Sequence, residues 1–204
     1  MRNLFGTPAP RPYHHGNLRQ ALVDAASLLV AERGLDGLTF AEAAKRVGVT
    51  GAAPYRHFSD RQALVDELAR QGFSRFSSEL ATAAQSALQP VQAFAAMGRA
   101  YLSFARQAPG LYRAMFSARP SVTLGDDAFA AFSAGIAAMM TGAPIPAAAQ
   151  DALGLKIWAL AHGTASLEAA GFITDPDLAC NTLLDGVAAM IKEVTYAGPQ
   201  HQSG

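Results

Sequence analysis

The chain of 204 residues lacks the features of secreted and membrane-spanning proteins. Its single cysteine, Cys180, cannot form an intramolecular disulfide and argues against a cysteine-based zinc site, which fits a reducing cytoplasm. No apolar run approaches the roughly 18 residues that cross a bilayer, and the N-terminus has no apolar signal segment. We therefore predict a cytoplasmic protein without a membrane partner.

The sequence also lacks the short motifs that mark many catalytic and cofactor sites. It has no Gly-x-Ser-x-Gly elbow, no phosphate-binding loop and no metal-ligand spacing. We predict that the protein is not an enzyme and has no cofactor and no metal site. A helical-bundle hydrolase that uses His162 with Ser166 and an aspartate stays open as an alternative.

Charged residues are scarce and unevenly divided along the chain. They make up only 16% of the sequence, against about 25% in soluble domains, which indicates buried surface beyond the core of one subunit. Residues 1–62 contain eight Lys and Arg against five Asp and Glu, whereas the remainder contains eight against eleven. A net charge of +3 on the first segment and −3 on the second favours a phosphate-binding module at the N-terminal end.

The sequence shows no alternating pattern typical of β-strands, and glycine and proline divide it into about nine predicted helices. The predicted fold class is therefore all-α. We expect two domains: residues 1–62, an N-terminal arm with a three-helix unit, and residues 63–204, a helical bundle. Ser59 and Gln62 form a predicted capping box that opens a long helix through about Ala84.

The densest pattern lies between residues 39 and 58. Thr39 and Glu42 form a predicted capping box, apolar residues follow at helical spacing, and Gly48 suits the left-handed residue that ends a helix. Thr50 is the predicted cap of a second short helix. Two short helices joined by a glycine turn are typical of the helix-turn-helix unit that reads DNA.

This segment and its flanks resemble the N-terminal domain of the TetR-type transcriptional repressors. The resemblance rests on Glu32-Arg33-Gly34, Thr39-Phe40, Val47-Gly48-Val49-Thr50, Pro54-Tyr55-Arg56-His57-Phe58 and Asp60-Arg61-Gln62-Ala63-Leu64. The motifs Pro109-Gly110-Leu111-Tyr112-Arg113-Ala114-Met115-Phe116 and Trp158-x-x-x-His162-Gly163 are similar to one subgroup of that family. The resemblance implies an all-helical homodimer with a DNA-binding head and a body that senses a ligand and dimerises.

The function that the resemblance implies is a transcriptional regulator, a repressor that a small-molecule effector releases from a palindromic operator. A helical ligand-binding protein that has lost DNA binding stays open, because Pro54 stands where the family more often has an aliphatic residue. Proline fits only within the first turn of a helix, so we expect the recognition helix to start near Gly51.

Seven residues are predicted to contact double-stranded DNA: Thr39, Thr50, Gly51, Ala52, Tyr55, Arg56 and His57. The guanidinium of Arg56 matches O6 and N7 of guanine, which makes it the candidate for base reading. The hydroxyl and exposed amides at Thr50 suit a phosphate at the start of a helix. Gly51 and Ala52 are small enough to let the backbone approach the DNA closely.

The remaining assignments in this segment follow from the resemblance or leave alternatives open. Thr39, Tyr55 and His57 are phosphate contacts by resemblance to their family counterparts. Packing of the Tyr55 ring against the first helix stays open. Lys45 and Arg46 are expected to be solvated, with one of them near the DNA backbone.

A pocket for a largely apolar effector is predicted in the second domain, lined by Met97, Tyr101, Tyr112, Phe132, Trp158 and His162. An apolar wall with a few polar tips is the usual composition of a ligand site. For His162, packing with a bond to a backbone carbonyl stays open. Residues 80–125 contain no acidic residue but four arginines, namely Arg99, Arg106, Arg113 and Arg119. They favour an anionic effector, ion pairs with other helices or a solvated face.

The last two long helices are apolar on two faces, which indicates burial on two sides. We predict that they form half of a four-helix homodimer interface. The residues expected at the contact are Trp158, Ala165, Ala169, Leu184, Val187 and Ile191. Burial of both helices inside their own subunit is the alternative.

Overall fold

The structure, a computed structural model, describes residues 18–117 and 147–196, which form seven α-helices and one 3-10 turn. The helices are α1 (Leu18–Arg33), α2 (Phe40–Val47), α3 (Arg61–Gln85), α4 (Pro90–Gln107), α5 (Pro109–Ser117), α6 (Ala147–Ala169) and α7 (Pro176–Tyr196), and the 3-10 turn is Pro54–Arg56. These two ranges contain no strand, so the all-α class is confirmed. The count of nine helices stays a prediction because residues 118–146 lie outside the described ranges. None of the described helices is long and apolar enough to span a membrane.

The helices α1 and α2 and the first turns of α3 pack around one apolar cluster, and we call this unit the head. The buried members of the cluster are Leu22, Val23, Ala26, Leu29, Val30, Leu38, Phe40, Ala43, Phe58, Leu64, Val65, Leu68 and Ala114. Buried side chains recur at helical spacing along the whole of α1, so one face of this helix is covered. Leu64 and Leu68 extend the head core beyond the boundary predicted at residue 62, and Ala114 comes from α5.

The caps of α2 follow the sequence rules. The Thr39 hydroxyl accepts a hydrogen bond from the Glu42 amide at 3.1 Å, as the capping box predicts. Gly48 ends the helix with φ of +79°, a conformation that costs glycine little because it has no Cβ. These two residues fix the length of α2 at eight residues.

The predicted capping box at the start of α3 is wrong. The cap is Asp60, whose carboxylate accepts a hydrogen bond from the Ala63 amide at 2.8 Å. Because the helix begins at Arg61, the carboxylate of Asp60 is the group that reaches the third helical amide. Ser59 lies one residue too early, and Gln62 instead donates to the Asp66 carboxylate at 2.8 Å.

Pro54 determines the shape of the segment between α2 and α3. The recognition helix expected to start near Gly51 is absent there. Thr50 instead accepts a hydrogen bond from the Ala53 amide at 2.9 Å in a tight turn, and its side chain does not cap a helix. Proline has no N–H to donate and clashes with the carbonyl four residues earlier, so it tolerates only a first position. The regular turn therefore begins at Pro54, and the His57 amide closes it on the Pro54 carbonyl at 2.9 Å.

The second half of α3 packs with α4 to α7 around a second apolar cluster, the core of the body. Its buried members are Phe76, Leu80, Phe94, Met97, Tyr101, Leu102, Phe104, Ala105, Ala108, Tyr112, Met115, Leu153, Ile157, Ala161, Ala165, Ala179, Leu183 and Val187. Since α3 is one unbroken helix of 25 residues, it contributes to both cores and joins the head to the body.

The short helix α5 lies between the head and the body and contacts both. At Gly110 it approaches α1 so closely that a Cβ would overlap the backbone carbonyl of Ser27. Three residues further on, Nη1 of Arg113 donates to the carbonyls of Val30 and Ala31 in the last turn of α1, at 3.1 and 2.8 Å. The preceding residue of the same helix, Tyr112, belongs to the body core, so α5 is fixed on two sides.

Replacing Gly110 with alanine should therefore destabilise the protein. The added methyl meets backbone rather than a flexible side chain, and we expect a loss of about 1–3 kcal/mol in the free energy of unfolding, measured by thermal or denaturant unfolding. Gly51→Ala is the matched control, because the same methyl there has no heavy atom within 4 Å. Equal stability of the two variants would contradict the close contact between α5 and α1.

Candidate functional site

The seven residues predicted to contact DNA are all exposed on one side of the head, at the start of α2 and in the segment that ends with the 3-10 turn. The Tyr55 ring joins these two places, because its edge packs against Phe40 with ring centroids 4.8 Å apart at 81°. Phe40 directly follows Thr39, so this contact places the 3-10 turn beside the cap of α2. We call Thr39, Thr50, Gly51, Ala52, Tyr55, Arg56 and His57 the head surface.

Three polar side chains of the head surface, those of Tyr55, Arg56 and His57, are open to solvent. Arg56 and His57 are exposed and make no hydrogen bond or ion pair with any residue of the described ranges. Tyr55 keeps 65% of its surface exposed despite its contact with Phe40. The ring therefore packs on α2 and not on α1, and its hydroxyl lies in solvent reach, where it suits a phosphate oxygen.

A rigid base holds the head surface in place. Phe58, immediately after the 3-10 turn, is buried, and the guanidinium of Arg19 lies over its ring at 4.8 Å from the centroid. Arg61 donates to the carbonyl of Leu38 at 2.8 Å and also to that of Leu35, so the loop before α2 is tied to the start of α3. The segment between α2 and α3 is thus anchored in the head at its C-terminal end, and the loop before α2 is held as well.

Arg46 is exposed, as expected, but its guanidinium is held by a surface ion pair. Its guanidinium forms a two-pronged ion pair with Glu32 on α1, at 2.9 and 2.7 Å. Hydrogen bonding from Arg46 lowers the pKa of the Glu32 carboxyl. Lys45, in contrast, is exposed and has no partner among the described residues, so it remains the cation of α2 that is free for phosphate.

A buried carboxylate links α1 to α3 on the other side of the head. Glu67 is only 8% exposed and pairs with Arg70 at 2.6 Å and Arg19 at 3.1 Å. Gln71 donates a further hydrogen bond to it at 2.8 Å. These bonds, led by that from Arg70, hold the pKa of the Glu67 carboxyl well below its usual range, so the group is charged at neutral pH.

In the body, three of the predicted pocket residues come together as one polar cluster. The Tyr112 hydroxyl is hydrogen bonded to Nδ1 of His162 at 2.9 Å, and the Tyr101 hydroxyl lies 3.4 Å from the same nitrogen. The side chain of Ser166 also bonds Tyr112. Burial raises the pKa of both tyrosines and lowers that of His162, so all three groups are neutral at pH 7. The bond to a backbone carbonyl considered for His162 is replaced by a side-chain network.

A cavity of about 470 Å³ opens beside this cluster, and we call it the Tyr112 cavity. Its lining includes Leu35, Tyr112, Arg113, Phe116, His162 and Ser166. Aromatic rings form one wall, since the Phe116 ring contacts the His162 ring with centroids 4.5 Å apart. The cavity therefore combines an apolar wall with several polar tips, the composition expected of a ligand site.

The other predicted pocket residues lie elsewhere. Met97 is buried in the body core and does not line this cavity, and Trp158 is half-buried behind Phe116, with ring centroids 6.5 Å apart. Phe132 lies outside the described residues. Sequence reasoning did not include Phe116 among the six pocket residues and named Arg113 only as one of four arginines that favour an anionic effector, although both lie within four residues of Tyr112.

The residues predicted for the dimer contact need a correction. Ala165 and Val187 are 1% and 5% exposed and belong to the core of their own subunit, so they cannot meet a partner. Trp158, Leu184 and Ile191 are half-buried, and Ala169 is exposed. The sequence could not separate the buried face of α6 from its exposed face, because both faces are rich in apolar residues.

The exposed apolar side chains of α6 lie one or two positions away from the buried ones. Leu155 and Leu167 expose 61% and 46% of their surfaces, and Ala159 between them is also exposed. On a helix of 3.6 residues per turn Leu155 and Leu167 point about 120° apart with Ala159 between them, so the three span one broad side of the helix. We call this set the outer face of α6.

Comparisons with known sequences identify two regions of the chain. Residues 22–68 match the family profile described as bacterial regulatory proteins, tetR family. Residues 94–189 match the profile described as tetracyclin repressor-like, C-terminal domain. A comparison with curated protein sequences found no match.

Solved structures of several bacterial proteins share this fold. A Rhodococcus sp. RHA1 protein of unknown function is 29% identical, with a TM-score of 0.75 over 91% of this chain and 100% of that one. A TetR-like transcriptional regulator from the same organism is 14% identical, with a TM-score of 0.69 over 85% and 95%. The TetR-family regulator SCO4454 of Streptomyces coelicolor is 20% identical, with a TM-score of 0.66 over 87% and 95%.

The lowered pKa of His162 predicts a pH dependence of stability. Unfolding exposes the ring and returns its pKa to about 6.5, so the unfolded chain binds a proton that the folded chain resists. The stability of the folded protein should therefore fall as the pH drops from about 7.5 to about 5.5. Over this range the melting temperature of His162→Gln should fall less than that of the natural protein.

The control is His57→Gln, which removes an exposed imidazole. This variant keeps the His162 ring in place and should therefore keep the pH dependence that this ring causes. A His162→Gln protein whose melting temperature falls as steeply on acidification as that of the control would contradict the role of burial.

Proposed function

Because this chain belongs to the tetR family of bacterial regulatory proteins and is a DNA-binding transcriptional regulator, not an enzyme, we propose that it is a cytoplasmic repressor released from a palindromic operator by a small molecule. The observation that carries the DNA-binding part is the head surface. It presents an arginine, an imidazole, a phenol and two hydroxyls that the rest of the described chain leaves accessible.

These groups divide into base reading and phosphate binding. Arg56 is the group that reads a base, since its fork matches the O6 and N7 atoms of guanine in the major groove. Tyr55 and His57 flank it and bind phosphates, which positions the 3-10 turn without regard to sequence. Thr39, next to the Phe40 ring that supports Tyr55, adds a hydroxyl at the same edge, and Lys45 adds a cation.

The segment of Thr50, Gly51 and Ala52 completes the proposed contact. All three are exposed, and no heavy atom lies within 4 Å of the space where Gly51 would carry a Cβ. The open backbone allows the DNA to approach closely. Pro54 does not disturb this surface, because it is buried as the first residue of the 3-10 turn.

A palindromic operator requires two heads related by a two-fold axis, with half-sites about 34–36 Å apart. We propose that the homodimer forms through the outer face of α6, together with the half-buried Leu184 and Ile191 of α7. Burying these apolar side chains is favourable at about 25 cal/mol per Å² of surface removed from water. Small residues on the same face, such as Ala159, allow two helices to approach closely.

The Tyr112 cavity is the proposed effector site. Its volume of about 470 Å³ lies within the range of about 300–1,000 Å³ that is usual for ligand pockets. The helix α5 lines this cavity and also contacts α1 of the head, so an effector can favour one placement of the head over another. A ligand that binds the non-matching placement more tightly lowers the affinity for DNA by that difference.

The division of labour on the head surface can be tested with DNA from upstream of the chain's own gene. In a gel-shift assay over a set of mutated half-sites, Arg56→Ala should relax the base preference at one position, a loss of about 1–3 kcal/mol of discrimination. His57→Ala should weaken binding to all sequences alike. Arg99→Ala, which removes an exposed arginine of α4, is the control and should change neither property.

Two outcomes would contradict this reading. If Arg56→Ala and His57→Ala behave identically across the half-sites, the assignment of base and phosphate contacts is wrong. If the natural protein shifts no DNA from this region, or if a scrambled sequence competes equally well for the complex, the proposed operator binding at the head surface fails.

The dimer face can be tested by placing charges on it. The double variant Leu155→Glu, Leu167→Glu should shift the protein from dimer to monomer in sedimentation or light-scattering measurements, because carboxylates on a buried helix face repel and lose hydration. Leu88→Glu is the control, since Leu88 is fully exposed in the loop between α3 and α4. A double variant with the molar mass of the control would place the dimer contact elsewhere.

A further inference from the structure

Arg113 has an unusual position for a charged side chain. It is half-buried and lines the Tyr112 cavity on one side. On its other side lies a second cavity of about 450 Å³, which it also lines. The described residues provide no carboxylate for it, and its only protein partners there are the carbonyls of Val30 and Ala31.

The neighbouring Arg106 shows what a paired arginine looks like in this part of the fold. Its Nη1 donates to both carboxylate oxygens of Glu168, at 3.0 and 3.1 Å, across the second cavity. The Glu168 side chain is only 8% exposed, so this pair is complete without help from a ligand. None of the described residues that line the Tyr112 cavity is acidic, and the positive charge of Arg113 is therefore unbalanced there.

The hydrogen-bond donors of Arg113 are only partly used. Both of these bonds leave from Nη1, whereas Nε and Nη2 have no partner in the described part of the chain. These two nitrogens form the planar fork that matches the two oxygens of a carboxylate. A guanidinium in this half-buried position gains more from such a partner than it would in water, because the surroundings are less polar.

We propose that the Tyr112 cavity binds a small, largely apolar monocarboxylic acid, with its carboxylate on the free fork of Arg113 and its apolar part against Phe116 and the Tyr112–His162 pair. This assignment deepens the proposed effector site and rests on it. The neutral hydroxyl of Tyr112 and the neutral ring of His162 add hydrogen bonds without adding a competing charge.

The same contact couples the ligand to the head. Arg113 holds the last turn of α1 through the Val30 and Ala31 carbonyls, and Leu35, in the turn after α1, lines the same cavity. A carboxylate attracts the guanidinium more strongly than a neutral carbonyl does. The carboxylate takes Nε and Nη2 while the carbonyls keep Nη1, so the ligand attracts the same guanidinium that holds α1 and alters how α5 holds the head.

Isothermal titration of the full-length protein with two matched pairs of probes tests the site. The pairs are octanoate with octanamide and 2-naphthoate with 2-naphthamide, which differ in charge but hardly in shape. At least one carboxylate should bind about tenfold or more tightly than its amide, the value of one charge-assisted bond. Arg113→Gln should bring the ratio close to one, and Arg113→Lys should keep part of it.

Arg99→Gln is the matched control, since it removes the same charge from an exposed site on α4 and should keep the natural ratio. The proposal is overturned if carboxylates and amides bind equally, if no probe binds at millimolar concentration, or if folded Arg113→Gln keeps the preference. Should Arg113→Gln not fold, Arg113→Lys decides: an undiminished ratio overturns the role of the fork, and a reduced ratio supports it.

A gel-shift assay with the same probes separates this proposal from the proposed function. If a carboxylate binds through Arg113 but leaves the operator complex intact, the site stands and its role as effector site fails. If the operator complex is dissociated equally by both members of a pair, the repressor stands and the carboxylate preference fails.

Discussion

The close packing of α5 on α1 is the constraint on which the arrangement of head and body depends. At Gly110 the backbone of α5 lies so close to the Ser27 carbonyl of α1 that no space remains for a Cβ. Once α5 lies this close, Ala114 enters the core of the head while Tyr112 and Met115 enter the core of the body. One helix of nine residues thereby belongs to both cores, and a displacement of either end is felt in both.

The head responds to such a displacement as a unit because α1 is held at several points. Near its start, Arg19 pairs with the buried Glu67 of α3, and near its end Glu32 pairs with Arg46 of α2. The charged state of Glu67 is secured by its partners at neutral pH. Since these bonds connect α1 to both other helices of the head, a shift of its last turn carries the head surface with it and does not simply loosen one helix.

The sequence predicted those features that depend on neighbouring residues. The cap at Thr39, the glycine stop at Gly48 and the exposure of the head surface follow from local rules of spacing. Features that depend on distant partners were missed: Arg113 bonds carbonyls more than 80 residues earlier, and Val187 is covered by its own subunit. Periodicity shows that a helix face is apolar but not which surface covers it, so intramolecular and intermolecular burial look alike. The 3-10 turn at Pro54 was predicted only in part. The proline predicted that the helix starts late, but not that it has a single turn.

The magnitudes show that a single guanidinium can carry the proposed regulation. A hundredfold fall in DNA affinity corresponds to about 2.7 kcal/mol of coupling between effector and operator, a usual value for allosteric proteins. A hydrogen bond to a charged group contributes about 1.5–3 kcal/mol. A bond between Arg113 and a carboxylate that forms fully only in the non-matching placement of the head therefore supplies a difference of the required order in each subunit. In the proposed homodimer each subunit binds one carboxylate, so the two contributions add, and neither subunit needs a large rearrangement to release the DNA.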